Sequence, residues 1–200
     1  MGNAKFIVFE GIDGCGKSTQ IERLREALGE MGRDVVLTAE PTDKDTGVML
    51  REALSGRVAR SSYEMAALFL LDRVAHNVDI EKCLDGGQDV LCDRYYYSSL
   101  AYQGSLCDFE WVKHMNVSCP AIRHPDLCIF LDLSPKEALS RISKRGEAKE
   151  IYEKEETLTL FRQTFLRVLE SVGDRVAVVD ASGAPDEVAA RVLAAVKKIL

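Results

Sequence analysis

The sequence predicts an α/β fold: a five-stranded parallel sheet with helices on both faces, forming a single domain over residues 1–200. Three observations predict it. Short β-rich runs alternate with longer stretches of helical periodicity, the order expected of parallel strands joined by crossover helices. The short runs are apolar nearly throughout, as strands covered on both faces must be. No linker, composition break or internal repeat divides the 200 residues, a length that buries roughly 70% of its unfolded surface.

The expected strands are Lys5 to Glu10, Asp34 to Ala39, Asp89 to Asp93, Leu127 to Leu133 and Arg175 to Asp180. Between the first two, Lys17 to Met31 sets Ile21, Leu24, Leu28 and Met31 on one helical face. Met65, Leu68, Phe69 and Ala75 mark a second helix, and Leu158, Phe161, Phe165 and Leu169 a third. Ser134-Pro135-Lys136-Glu137 reads as a capping box with Pro at the first helical position. Pro185 with Asp186 and Glu187 opens a last helix that closes on Lys197 and Lys198.

Composition narrows the function. Apolar residues make up 46% and charged residues 29% of the chain, which excludes disordered and low-complexity classes. A net charge of −6 argues against a surface that grips nucleic acid, so any anion site must be built locally. The six cysteines form no C-x-x-C pair and have no His at metal-ligand spacing, so most are expected to be buried thiols. No apolar run approaches the ~20 residues of a membrane span and no signal peptide is evident, so no membrane and a cytoplasmic location are expected.

Gly11-Ile12-Asp13-Gly14-Cys15-Gly16-Lys17-Ser18 satisfies G-x-x-x-x-G-K-[ST], directly after an expected strand and at the start of an expected helix. Glycines let the backbone wrap an anion with its N–H groups inward, the helix N-terminus adds partial positive charge, and Lys17 supplies an ammonium. The nucleotide-binding set is therefore Gly11, Ile12, Asp13, Gly14, Cys15, Gly16, Lys17, Ser18 and Thr19, with Ser18 as a magnesium ligand. GTPases, motor ATPases and kinases share this loop. The N-K-x-D signature of guanine specificity is absent, and the chain is short for a motor. Residues 141–156, almost wholly polar and of both charge signs, follow the fourth strand, where small P-loop kinases carry a short lid that excludes water.

Asp93-Arg94-Tyr95-Tyr96-Tyr97-Ser98-Ser99-Leu100-Ala101-Tyr102-Gln103-Gly104 begins at the carboxyl end of the third strand, where parallel sheets place ligands. Together with FEGIDGCGKSTQ, AEPTD, LFLLDRVAH and FLDLSPKEALSRI, in order from Phe6 to Asp180, this run closely resembles the thymidylate kinase family. The resemblance implies transfer of the γ-phosphoryl of ATP, with Mg²⁺, onto dTMP to give dTDP and ADP for dTTP synthesis, by a homodimer. Rival readings are a kinase for another nucleotide or nucleoside, and a non-catalytic nucleotide-dependent switch.

The resemblance also implies residue roles. Transfer between two anions needs positive charge between them, and Arg94 matches the arginine that bridges to the acceptor phosphate. Asp93 matches a carboxylate supporting Ser18-bound magnesium, and Asp13 the acid directed at the acceptor 3′-hydroxyl. Phe69 matches the ring that stacks on thymine; Arg73, four residues on and on the same helical face, donates to a base carbonyl. Ser99 helps bind the pyrimidine edge, Tyr102 crowds the 2′ position, Gln103 lines the pocket, and Glu40-Pro41 forms an acidic turn beside the acceptor. Apart from the resemblance, Arg94 also fits a salt-bridge partner of Asp93, Asp93 a helix cap, and Phe69 a core residue.

There are departures from the family pattern. Many relatives carry Arg where this chain has Ala39, leaving Arg51 as a substitute phosphate contact. Ile151 stands where a basic lid residue is expected, and Gly14 and Cys15 where one branch places an arginine. Arg141, Lys144, Arg145 and Lys149 remain as lid donors, of which Arg145 is favoured because Gly146 beside it permits a turn. The catalytic set is thus Lys17, Asp13, Arg94 and Arg145. Cys15, within reach of bound phosphates, is expected to have a lowered thiol pKa in the empty site.

Overall fold

A computed structural model describes residues 4–145 and 155–200. Five strands, β1 (Phe6–Glu10), β2 (Val35–Ala39), β3 (Asp89–Asp93), β4 (Leu127–Asp132) and β5 (Val176–Asp180), form one sheet in the order β2-β3-β1-β4-β5. Every pairing is parallel. Three strands begin one residue later than expected, and β4 stops at Asp132, one residue short of Leu133.

The helices follow from their end signals. The first, α1 (Lys17–Glu30), buries Ile21, Leu24 and Leu28, while Met31 caps its end and is exposed. The long α3 (Ser62–Asp85) starts at a capping box in which Ser61 and Glu64 bond reciprocally. At the start of α6 (Pro135–Arg145), Glu137 N donates to Ser134 Oγ at 3.3 Å, and that hydroxyl donates to Glu137 Oε2 at 2.7 Å. Further helices are α7 (Glu155–Val172) and α8 (Pro185–Val196), the latter capped at its end by Lys197. Three helical segments go beyond the sequence reading: α2 (Asp45–Leu54), α5 (Phe109–Val117) and a 3₁₀ turn over Gln103–Ser105 that continues α4 (Tyr96–Tyr102).

The core lies on both faces of the three central strands, where Phe6 to Phe9, Val90 to Cys92 and Leu127 to Leu131 are all buried. All six cysteines are free; Cys15, Cys92 and Cys128 are buried and the other three half-buried. Among the described residues no helix is long and apolar enough to cross a membrane.

Two features of the sheet position the site. β1 sits between β3 and β4, and the connections after β1 and after β3 lead to opposite sides of it, which opens a crevice at the carboxyl ends. The register then pairs Phe9 with Asp93 and Glu10 with Phe130, bringing Gly11, Arg94 and Asp132 to one edge.

Candidate active site

The loop leaving β1 is held tightly. Gly11 has φ 145°, and a Cβ there would lie 2.7 Å from Cys15 Sγ and 2.8 Å from the Leu131 carbonyl oxygen. A Cβ on Gly14, at φ 79°, would meet the Ala138 carbonyl oxygen at 2.6 Å. Gly16 caps α1 in the left-handed region, and neither a capping side chain nor an acidic residue occupies the first turn. The Lys17 amide bonds the Cys15 sulfur, and Gly16 supplies no capping group to the amides that follow, a helix start that favours an anion. Lys17 is buried, and its Nζ donates to the Gly11 carbonyl at 3.1 Å, lying across the loop.

Cys15 does not match its expectation. It is 1% exposed, with its sulfur beneath Gly11, and burial pushes the thiol pKa up despite the opposing charges of Lys17 and Arg94. The sequence places Cys15 in a phosphate loop but does not say that its side chain turns into the core.

Across the crevice, Arg94 has φ 68°, the one non-glycine residue with positive φ among those described. Its Nη2 donates to Asp13, its Nη1 to Ser98 Oγ at 3.1 Å, and its guanidinium lies 5.8 Å from the Tyr102 ring centroid. The partner of Arg94 is thus Asp13 rather than Asp93. Asp93 does not cap α4 either, since the cap position is Tyr95. Instead Asp93 Oδ1 is buried with no hydrogen-bond partner among the described residues. Asp93 and Ser18 face one cavity of about 650 Å³.

A second cavity, about 370 Å³, lies beyond Arg94. Six of the seven residues expected around the acceptor line it: Glu40, Phe69, Arg73, Arg94, Tyr102 and Gln103. Ser99 lies behind the wall, buried, where its Oγ accepts from Arg73 Nη2 at 3.1 Å; Ser98 takes the wall position. Arg73 is 1% exposed and donates to Glu40 Oε2 at 2.6 Å and to Asn116 Oδ1. Glu40 also faces His76 Nδ1 at 3.1 Å, and His76 Nε2 meets Thr38 Oγ1 at 2.6 Å. Arg51 donates to the Thr42 carbonyl at 2.7 Å and the Pro41 carbonyl at 3.2 Å, so it fixes the connection after β2.

On the far side of the phosphate loop, Arg141 donates to the Cys15 carbonyl at 3.3 Å and to the Ala181 carbonyl at 2.9 Å. It lines a cleft of about 160 Å³ with Gly16, Thr19, Gln20, Gly183 and Pro185. Of the expected lid, Arg141 and Lys144 lie on α6, whereas Lys149 and Ile151 lie outside the described residues. Arg145 ends α6, and its side chain too lies outside them.

Sequence reasoning passed over Glu10, Ser98, His76 and Asn116. His76 carried a signal, being three residues after Arg73 and so on the same helical face. Asn116 carried none without α5.

Arg94 therefore links the phosphate loop, through Asp13, to a cavity walled by aromatic rings and a buried arginine. This layout is that of a P-loop kinase acting on a small phosphorylated acceptor. The chain belongs to the thymidylate kinase family, whose model matches residues 9–192. It is similar to the probable thymidylate kinase of Pyrococcus abyssi, at 40% identity over 199 residues covering 96% of this chain and 95% of that one. The probable thymidylate kinase of Thermococcus onnurineus is 43% identical over 175 residues, 82% of this chain and 84% of that one. The thymidylate kinase of Leptospira borgpetersenii is 40% identical over 185 residues, 92% and 88% respectively. Membership makes this chain a kinase, and its reaction the phosphorylation of dTMP to dTDP toward dTTP.

Proposed function

We propose that the donor is ATP with Mg²⁺ and that its γ-phosphoryl passes directly to the 5′-phosphate of dTMP, with Arg94 between the two. The observation that carries this reading is the position of Arg94, which contacts Asp13 of the phosphate loop while lining the acceptor cavity. The start of α1 and Lys17 hold the donor's outer phosphates. Arg141 and the residues after β5 flank its base. Asp93 and Ser18 are the residues that would hold magnesium: both carry oxygen donors on one cavity, and Asp93 Oδ1 is a buried acceptor without a partner among the described residues. When bound, the ion supplies positive charge against the transferring phosphoryl group.

On the acceptor side, Phe69 stacks on thymine and Arg73 donates to a base carbonyl, its charge held by Glu40. Ser99 supports Arg73 from behind, Gln103 lines the pocket, Tyr102 crowds the 2′ position, and Asp13 takes the 3′-hydroxyl. Residues 141–156 act as a lid that excludes water, with Arg145 reaching the phosphoryl group. Arg141 at its start lines the donor cleft, and Leu160 and Phe161 after it line the acceptor cavity, which supports that role.

The chain acts as one domain and pairs as a homodimer. Exposed Leu71 and Val78 lie seven residues apart on one face of α3, an apolar stripe suited to a second copy. The net charge of −6 favours a cytoplasmic enzyme of small substrates over a nucleic-acid binder.

Turnover with ATP tests the reading, comparing dTMP with UMP, dCMP and AMP and including Lys17→Ala. We expect dTMP to be fastest and Lys17→Ala to lower turnover by roughly 10²-fold or more. Faster phosphorylation of AMP, or near-normal turnover of Lys17→Ala, overturns it.

A further inference from the structure

We infer that Glu10 is a positioning residue for phosphoryl transfer, fixing Arg94 between the phosphate loop and the acceptor cavity. Glu10 closes the apolar strand β1 and has no exposed surface. A carboxyl group at such a site persists only when donors converge on it. Three do. Oε1 accepts from the Tyr95 amide at 2.8 Å and the Ser98 amide at 3.0 Å, and Oε2 accepts from the Ser98 hydroxyl at 2.8 Å.

All three donors belong to the segment immediately after Arg94. Tyr95 occupies the cap position of α4 and supplies no capping side chain, so Glu10 performs that task from a neighbouring strand. The Ser98 hydroxyl that donates to Glu10 also accepts from Arg94 Nη1 at 3.1 Å, leaving one hydroxyl between carboxylate and guanidinium. On the other side the Arg94 amide donates to the Phe9 carbonyl at 3.0 Å.

This clamp answers a backbone problem. Arg94 has φ 68°, a region side-chain-bearing residues rarely adopt and hold only where surrounding bonds over-determine it. Phe9 holds its amide and Glu10 the amides of Tyr95 and Ser98 in the turn that follows, so the guanidinium projects toward Asp13 and the cavity. Burial raises the Glu10 pKa, and the charge of Arg94 with the Tyr95 and Ser98 hydrogen bonds acts against that rise. Without the carboxylate the left-handed turn relaxes and the guanidinium moves, a displacement phosphoryl transfer does not tolerate.

The inference rests on the proposed role of Arg94, and a double-mutant cycle separates the two. Glu10→Gln keeps an oxygen for the two amides while removing the charge and the acceptor of the Ser98 proton. Ser98→Ala cuts the same link from the other end and serves if Glu10→Gln does not fold. With ATP and dTMP, each single variant should lower kcat on the order of ten- to a hundredfold, leaving the KM for ATP within about twofold. In an Arg94→Ala background the same substitution should change the residual rate by less than about twofold. If the losses multiply, or the KM for ATP rises while kcat holds, Glu10 serves the adjoining phosphate loop instead and the inference is overturned. If Arg94→Ala alone keeps near-normal turnover, the reading of Arg94 fails, and the role of Glu10 with it.

Discussion

Asp13 in the phosphate loop is ion-paired with Arg94, 81 residues further along the chain, and neither side chain is fully buried. On the proposed reading the pair spans the seam between donor and acceptor, so that an incoming 5′-phosphate would compete with Asp13 for the guanidinium and leave Asp13 beside the acceptor sugar as a strong hydrogen-bond acceptor.

The first prediction follows from that exchange. A site built to bond a hydroxyl strongly rejects an analogue lacking it, because its own polar group is left unpaired. The wild-type protein should therefore favour dTMP over its 3′-deoxy analogue, and Asp13→Ala should shrink the ratio of their kcat/KM values by roughly 1.5 to 3 kcal/mol, the worth of a charged hydrogen bond. An unchanged ratio would remove Asp13 from sugar recognition.

Arg73 gives the second prediction. Its guanidinium is buried among Glu40, Asn116 and Ser99, with Nε lacking a partner among the described residues. Arg73→Ala should weaken dTMP recognition by roughly 1.5 to 3 kcal/mol while leaving the KM for ATP unchanged. It also leaves Glu40 buried beside His76 alone, so unfolding should shift to lower urea. Arg73→Lys should recover little, since an ammonium cannot reproduce the fork that reaches both Glu40 and Asn116. Full recovery by Lys would mean that charge alone, not geometry, matters here.

The sequence was most legible where one local pattern has one physical cause. The three central strands read correctly because burial on both faces demands unbroken apolar runs, and the phosphate loop because its glycines have a fixed spacing; the edge strands β2 and β5 are as apolar but only partly buried. The acceptor helix was less legible. Ser98 and Ser99 are adjacent, and only the phase of α4 decides that Ser98 faces the cavity and Ser99 backs Arg73. Glu10 was invisible because a lone acid ending an apolar strand forms no pattern, its partners lying 85 and 88 residues away. Cys15 was misread because loop membership does not fix a rotamer. Of the two weak helices, α5 is capped by Asp108, which accepts from the Trp111 amide, whereas the cap position of α2, Lys44, makes no capping bond, and both have short apolar faces.

A pH dependence of stability is the third prediction. His124 Nδ1 faces Asp174 Oδ1 at 2.7 Å and the Tyr96 hydroxyl at 3.3 Å, and Nε2 faces the Val117 carbonyl at 3.0 Å, an arrangement that favours imidazolium, which donates from both nitrogens. Burial acts to lower its pKa, but the bonds to Asp174 and Val117 outweigh that and hold it above 6.5. A raised folded-state pKa gives stabilisation that is fully present below the unfolded value and disappears as pH rises through the folded one. Stability should thus decline above about pH 6.5, and His124→Gln should flatten the decline in urea midpoints. Asp174 also accepts from the hydroxyls of Tyr96 and Tyr97, so the loss should loosen α4 as well. An equally steep decline in His124→Gln would assign it to another group.

The fourth prediction concerns sugar selection. The Tyr102 ring is wedged against Phe161 at 4.4 Å and Phe165 at 5.7 Å between centroids, with the Arg94 guanidinium 5.8 Å away. Burial pushes its phenol up to about 12, so the hydroxyl stays protonated and neutral at working pH. A ring held from behind by two aromatic side chains cannot retreat, so in the proposed role it would oppose a 2′-hydroxyl by bulk. Tyr102→Phe should therefore keep the ratio of kcat/KM values for dTMP and its ribose counterpart. Tyr102→Ala should narrow that ratio by on the order of tenfold, because steric exclusion disappears with the ring. Removing the ring also empties packed volume beside Phe161, so Tyr102→Ala should lose roughly 3 kcal/mol of stability and needs assay at reduced temperature. If Tyr102→Phe narrows the ratio as much as Tyr102→Ala does, discrimination comes from the phenolic hydrogen bond and the steric account is wrong.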